Sequence, residues 1–348
     1  MTIDRLPEAL QTLYAELLDQ AVQAEAEEAA LRLPPPGTFV RKKVHRGIYW
    51  YLQRSEGGGK RQVYLGPESP ELVRWIDEVR ARRREQRPDD ERRAALVAML
   101  HSGGASRMSA VVGRVLRLLA ESGVFRLGGV LVGTYAYAAY ENMLGVRLAA
   151  REVRTEDVDV TQERSLAIAL DPEAVPVDVE RALQQADPRF LAVPALDSRR
   201  PSTSFKLRGQ DLRVDLLTPQ HGREEGPVPL PLLKAAAQPL PFLGYLLSSP
   251  QAAVVLPAGG VLVRIPEPAR FALHKLWLSI ERPAAQQGKA AKDLRQASRI
   301  LEVLLTDRPH DLPAAWRAID PPRRHTVRQA IARLDPRLAE RLLASLGD

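Results

Sequence analysis

The chain of 348 residues is long enough for two or three domains, and its 45% hydrophobic and 27% charged content excludes a chain dominated by disorder. Cysteine is absent and the six histidines include no His-x-x-x-His pair, which excludes disulfides, thiolate nucleophiles and Cys-based metal sites and argues against a helix-borne zinc. The net charge is +7, with 42 of the 50 basic residues arginine; codon bias in a GC-rich genome accounts for that total, so the places where basic residues gather are more informative than the sum.

The opening MTIDRLPEAL lacks the basic start and apolar core of a secretory signal. No apolar run approaches the ~20 residues of a membrane span, so a cytoplasmic location without membrane contact is expected. Residues 6–31 have helical periodicity, with Leu10, Leu13, Tyr14, Leu17 and Leu18 on one side, and Pro34-Pro35-Pro36-Gly37 stops the helix. Alternation over Phe39–Val44, Ile48–Arg54 and Gln62–Leu65, with glycines at 57–59, predicts a hairpin or three-stranded sheet. It carries Arg41, Lys42, Lys43, Arg46, Arg54, Lys60 and Arg61 against the single acid Glu56, with Tyr49, Trp50, Tyr51 and Tyr64 interleaved. A helix over 69–100 has a basic middle (Arg80, Arg82, Arg83, Arg84, Arg87) and a break at Pro88, and another runs over about 106–122. A strand at Leu127–Val132, a turn at Gly133-Thr134 and a helix at Tyr135–Leu144 open a mixed α/β region. Strands follow at 157–160 and 166–170, then a helix at 177–186 and a hairpin of 204–207 with 212–217. Beyond Leu230 the chain is punctuated by proline and then helical, most clearly at Phe271–Glu281 and Lys289–Leu305. The expected division is an N-terminal helix (1–37), a small basic sheet (38–68), a helical linker (69–123), a mixed-sheet core (124–229) and a C-terminal helical domain (230–348).

The fragment Thr155-Glu156-Asp157-Val158-Asp159-Val160 bears the chemistry. On a strand, Asp157 and Asp159 share one face while Val158 and Val160 point to the core, and Glu156 faces away from them. Two carboxylates on one face repel unless a cation lies between them, and oxygen donors without His or Cys favour magnesium or manganese. A solvated edge strand produces the same Asp-x-Asp pattern. Leu131-Val132-Gly133-Thr134 joins a strand to a helix whose N-terminal amides and Thr134 hydroxyl can meet phosphate. Asp215 stands inside the apolar run Leu212–Leu217; an acid buried there needs a metal or a partner such as Arg213 or Arg164. Lys275, Lys289 and Lys292 are three of only eight lysines, a cluster suited to phosphate as point charges or to a solvated helix face. Asp293 follows Lys289 by four as a helix-surface pair. Tyr135, Tyr137, Tyr140, His274 and Trp277 are expected in the core.

Val132-Gly133-Thr134, Asp157-Val158-Asp159-Val160 and Asp215 resemble, in order, the glycine turn, the Asp-h-Asp-h motif (h, hydrophobic) and the third acid of the nucleotidyltransferase superfamily related to DNA polymerase β. The stretch Gly133–Glu141, together with Phe271–Leu276 and Lys289–Leu294, is similar to a bacterial nucleotidyltransferase-fold family and to abortive-infection-type nucleotidyltransferase toxins. The likeness covers roughly 125–305. Thr134 stands where Ser or Gly is usual, and the gap before Asp157 demands an extra loop over about 145–154. The resemblance implies an α+β fold with a mixed-sheet core. It also implies Asp157, Asp159 and Asp215 as catalytic metal ligands for Mg2+ or Mn2+, and Gly133, Thr134, Lys275, Lys289 and Lys292 as nucleotide-binding residues. The reaction implied moves an NMP from an NTP to an acceptor hydroxyl, on RNA, tRNA, a protein or a small molecule, and releases pyrophosphate.

The basic sheet is expected to hold the acceptor through Arg41, Lys42, Lys43, Arg46, Trp50, Lys60 and Arg61, charge supplying affinity and the aromatic rings stacking. The same rings would also serve as the core of a small sheet. The competing reading is a nucleic-acid-binding protein with an inactive transferase fold, acting through residues 38–66. A metal-dependent nuclease is a third, disfavoured by the glycine turn and the lysines.

Overall fold

The computed structural model describes residues 3–31, 37–56, 59–148, 157–164, 177–194, 200–224 and 226–347. The proline stop at 34–36, glycines 57 and 58, the loop over 149–154, Thr155, Glu156 and the strand expected at 166–170 lie outside the described residues. The fold is α+β: a mixed sheet with helices following it, preceded by a helix and a small antiparallel sheet.

Helix α1 (Glu8–Leu31) buries Leu10, Tyr14 and Leu17, one turn apart, against Leu96, Val97, Leu100, Val254 and Leu256. The Tyr14 hydroxyl donates to the Val254 carbonyl (3.2 Å) and accepts the Val254 amide (3.0 Å). Strands β1 (Thr38–Val44), β2 (Gly47–Glu56) and β3 (Gly59–Pro67) form an antiparallel sheet in that order. Alternation turns Phe39, Trp50 and Leu52 onto Ile76 and Val79 of helix α2 (Pro70–Ser102), which starts where the Ser69 hydroxyl accepts the Leu72 amide. Pro88 does not break α2 as expected; the helix runs through it. The bond it removes falls on an exposed stretch, between ends anchored by Ile76 and Val79 and by Leu96, Val97 and Leu100.

Helix α3 (Ala110–Glu121) begins at its Ser109 cap, later than expected, and strand β4 (Val130–Val132) is shorter because 122–128 form turns. The main sheet contains β4, β5 (Asp157–Thr161), β8 (Arg213–Pro219), β10 (Ala235–Leu240) and β9 (Val228–Leu230), in that spatial order. On the side of β8 away from β5, strand β7 (Ser204–Leu207) also pairs with β8 and carries β6 (Phe190–Ala192) at its outer edge. Strands β5, β8 and β10 are parallel, and β4 is antiparallel to β5. Helix α4 (Gly133–Met143) leaves β4 directly, and α5 (Val179–Ala186) precedes β6.

The boundary expected at 229/230 cuts this sheet, because β10 belongs to it. Pro239 hid the strand, since proline removes a ladder donor. Its half of β10 (Gln238–Leu240) pairs only with β8, while Ala235–Ala237 pairs only with β9, so the missing donor has an unpaired side to face. After a short helix α6 (Leu243–Leu247) comes an unexpected hairpin, β11 (Gln251–Val255) and β12 (Val261–Ile265). Helices α7 (Pro268–Glu281), α8 (Gln287–Asp307), α9 (Asp311–Arg317), α10 (Pro321–Ile331) and α11 (Pro336–Leu346) follow. One apolar core joins α3, α4, the sheet and these helices.

Candidate active site

Val158 and Val160 are fully buried, which turns Asp157 and Asp159 to the opposite face of β5. Residue by residue, β5 lies beside β8 in parallel register, with Asp157 opposite Arg213 and Asp159 opposite Asp215. Adjacent strands are about 4.8 Å apart, so the three carboxylates the sequence singled out stand on one face of neighbouring central strands. The edge-strand alternative for Asp157 and Asp159 does not hold, since β5 is flanked on both sides.

Burial, then the charges of Asp215 and Asp157, push the Asp159 carboxyl up to about 7, against the pull of Lys275 and Lys289. Asp157 is raised by burial and by Asp215, while Arg213, Lys289 and Lys292 act to lower it. Asp215 has two resident partners: the Ser204 hydroxyl, across the β7–β8 ladder, and Arg213 at 3.3 Å. The pairing with Arg213 that the sequence allowed is therefore present, whereas Arg164 pairs with Glu224 instead (2.5 Å).

Gly133 packs straight onto this face. A Cβ at that position would lie 2.1 Å from Asp159 Oδ2, and the residue holds φ +65°, a left-handed conformation that glycine adopts freely. It begins α4, whose first amides have no side-chain cap. Next to it, the Thr134 hydroxyl accepts from Lys292 Nζ at 3.2 Å. Lys289 and Lys292 lie at the start of α8, near enough to act on the acids. Lys275 is held in a buried ion pair with Asp293 (2.5 Å), whose other oxygen takes Arg282 Nε at 3.0 Å.

That network corrects the surface Lys289–Asp293 pair expected from helix spacing. Asp293 is 2% exposed and faces α7. Ser204 and Arg282 carried no sequence signal, because only strand register and helix packing bring them here. Tyr135, Tyr137, Tyr140, His274 and Trp277 are buried as expected; Tyr137 and Tyr140 pack on Phe271, and Phe242 stacks on His274.

The small sheet divides its candidates. Trp50, 7% exposed, faces α2 and donates its ring N–H to Glu68 (3.1 Å), so it offers no stacking surface. Arg41, on the same face, is held by both oxygens of Glu68. Lys42, Lys43, Arg46, Lys60 and Arg61 are exposed.

Oxygen-only donors and mutually repelling, half-buried carboxylates suit a hard divalent cation. As the side chains stand, no three His, Asp or Glu groups among the described residues form a ready-made metal cage. The fit therefore lies in donor chemistry and uncompensated charge. The uncapped helix start, the hydroxyl and the lysines beside the acids can take phosphate oxygens.

Residues 110–320 match the model of a family described as nucleotidyltransferase, and residues 3–74 match a domain of unknown function, DUF6788. No curated protein and no solved structure matches the chain.

Proposed function

Because the chain belongs to this nucleotidyltransferase family, we propose that it moves an NMP from an NTP to an acceptor hydroxyl and releases pyrophosphate. The observation that carries this is the single face holding Asp157, Asp159 and Asp215, with Gly133 packed on Asp159 and the Thr134–Lys292 pair beside it. Asp157, Asp159 and Asp215 would hold Mg2+ or Mn2+. When bound, such ions neutralise the attacking and leaving oxygens.

The chain's own residues bind and orient. The α4 amides from Gly133 onward and the Thr134 hydroxyl receive phosphate oxygens, and Lys289 and Lys292 add positive charge from α8. Lys275, tied to Asp293, contributes through its field on Asp159 rather than as a mobile contact. Gly133 keeps Asp159 in place, because any side chain there would displace its carboxylate. Little covalent work is asked of the protein beyond positioning and charge. The hydroxyl–lysine pair favours a triphosphate substrate over hydrolysis of a nucleic-acid backbone. RNA or tRNA is the acceptor class that suits the basic N-terminal sheet.

The test supplies each α-labelled NTP with Mg2+ or Mn2+ and total RNA, and follows label transfer and pyrophosphate. Transfer by the wild type and its loss in Asp157→Ala, with thermal stability retained, is the expected result. Equal transfer by that variant, or RNA cleavage that needs no NTP, overturns the reading.

A further inference from the structure

The register of the small sheet separates its two faces. Phe39, Arg41, Trp50, Leu52 and Val63 belong to the face toward α2. The opposite face carries Thr38, Val40 and Lys42 from β1, Tyr49, Tyr51 and Gln53 from β2, and Lys60, Gln62 and Tyr64 from β3. No acid lies among these nine positions. Glu68, just after β3, is engaged by Arg41 and Trp50 on the face toward α2.

The three tyrosines form one group on this face. Tyr51 and Tyr64 meet edge-on with centroids 5.5 Å apart, and Tyr49 lies 6.2 Å from Tyr64. Tyr64 is 54% exposed, an unusual position for a large ring in a sheet with an apolar side available. Lys42 Nζ stands 5.2 Å from the Tyr51 ring centre and also bonds Gln62, whose amide donates to Gln53 (2.7 Å). The face thus combines stackable rings, amide groups and two lysines, with exposed Lys43 and Arg46 near the β1–β2 turn.

We propose that this open face is a docking surface for single-stranded nucleic acid, with bases stacking on Tyr64, Tyr49 and Tyr51 and the backbone running past Lys42 and Lys60. A protein partner of ordinary composition gives no reason for an acid-free, lysine-bordered ring cluster. A polyanion with exposed base faces does. A duplex hides those faces, so the surface selects single strands. Taking the docked strand as the acceptor rests on the transferase reading above, whereas the docking itself does not.

The experiment uses the full chain without nucleotide or divalent metal, so its outcome is separate from whether the acids catalyse transfer. Fluorescein-labelled 20-mers of single-stranded RNA, single-stranded DNA of the same sequence and the DNA duplex are titrated by anisotropy at several salt concentrations. Single strands bind more tightly than the duplex. Tyr64→Ala weakens them by about tenfold or more, and Tyr64→Phe, which keeps the ring, stays close to wild type. The double variant Lys42→Gln/Lys60→Gln shallows the log–log salt slope by about 1.4, since each neutralised phosphate contributes about 0.7 for a single strand. Tighter RNA than DNA identifies a polyribonucleotide, and equal binding supports any single strand. Unchanged affinity in Tyr64→Ala, no binding of either strand, or a duplex bound as tightly as the single strands overturns the proposal. All variants lie on exposed positions, and their melting temperatures confirm folding.

Discussion

Asp159 and Gly133 show how the candidate site is held at the cost of stability. With its carboxyl at about 7 against about 3.9 for an unperturbed Asp, the folded chain binds more protons than the unfolded chain between about pH 4 and 7. Stability therefore falls as pH rises through that window. Asp159→Asn removes the effect. Thermal melts in chelator should give similar Tm values for variant and wild type below about pH 4, with the variant's advantage growing from there to a higher Tm at pH 8. A variant less stable than wild type at pH 8 contradicts the burial and repulsion assigned to this carboxyl. His274 tilts the other way: burial, then Lys275, holds its imidazole down to about 3. Its contribution is present above about pH 6.5 and is lost as pH falls toward 3. Both proteins carry His274, so their difference isolates Asp159. At Gly133, alanine meets both the left-handed φ and the Asp159 carboxylate. Gly133→Ala is expected to cost about 1–3 kcal/mol by denaturant unfolding and to abolish transfer. Full activity in that variant would remove Gly133 from the site.

Between α7 and α8, stability and phosphate chemistry draw on the same side chains. Asp293 is buried and carries both Lys275 and Arg282, so removing it strands a buried ammonium. Asp293→Ala is expected to lose about 3–5 kcal/mol, and Lys275→Met in the same chain to recover much of that, because a buried pair replaced by apolar groups is often neutral. Urea midpoints of wild type, single and double variants check it; equal losses in single and double variants would rule out the ion pair as the cause. This network was illegible in the sequence. Spacing alone offered Lys289 as the partner of Asp293, and only the packing of α8 on α7 reveals Lys275. The three acids were legible, because strand alternation puts Asp157 and Asp159 on one face and the apolar flanks of Asp215 mark a strand of its own. Their convergence depends on the parallel β5–β8 register, which no local pattern encodes. β10 stayed hidden because Pro239 in a strand contradicts the usual rule, and that rule is met only through one-sided pairing.

Over the whole molecule, the N-terminal part and the transferase part are stapled rather than strung together. The family match begins at residue 110, which invites a cut just before it. The structure argues against that cut. Segment 3–7 pairs with the chain after α4, the Leu6 amide donating to the Gly145 carbonyl and the Arg147 amide to the Asp4 carbonyl (both 2.8 Å). Arg5 grips Asp307 at the end of α8 with two bonds. Helix α1 and the end of α2 cover Val254 and Leu256, and Tyr14 satisfies both backbone groups of Val254. Uncovering two buried aliphatic side chains costs about 1.5–3 kcal/mol each, and two lost hydrogen bonds add about 1 kcal/mol each. A chain beginning at Ser106 should therefore melt about 10 °C or more below the full chain, at about 2–4 °C per kcal/mol, or fail to stay soluble. Tyr14→Phe isolates the hydroxyl: with the apolar cover intact but Val254 unpaired, it should lose about 1–3 kcal/mol. If the shortened chain melts with the full one, α1 is an appendage and the contacts at Val254 are incidental. If it melts early, the N-terminal segment is part of the transferase fold, and a lost activity on truncation reports unfolding before it reports a lost acceptor surface. The small sheet is different in kind. Its apolar core of Phe39, Trp50, Leu52, Ile76 and Val79 is shared with α2 and separate from the core beneath the active-site strands. Although β2 also touches α5, point variants on its exposed face can change binding while leaving the active-site strands intact.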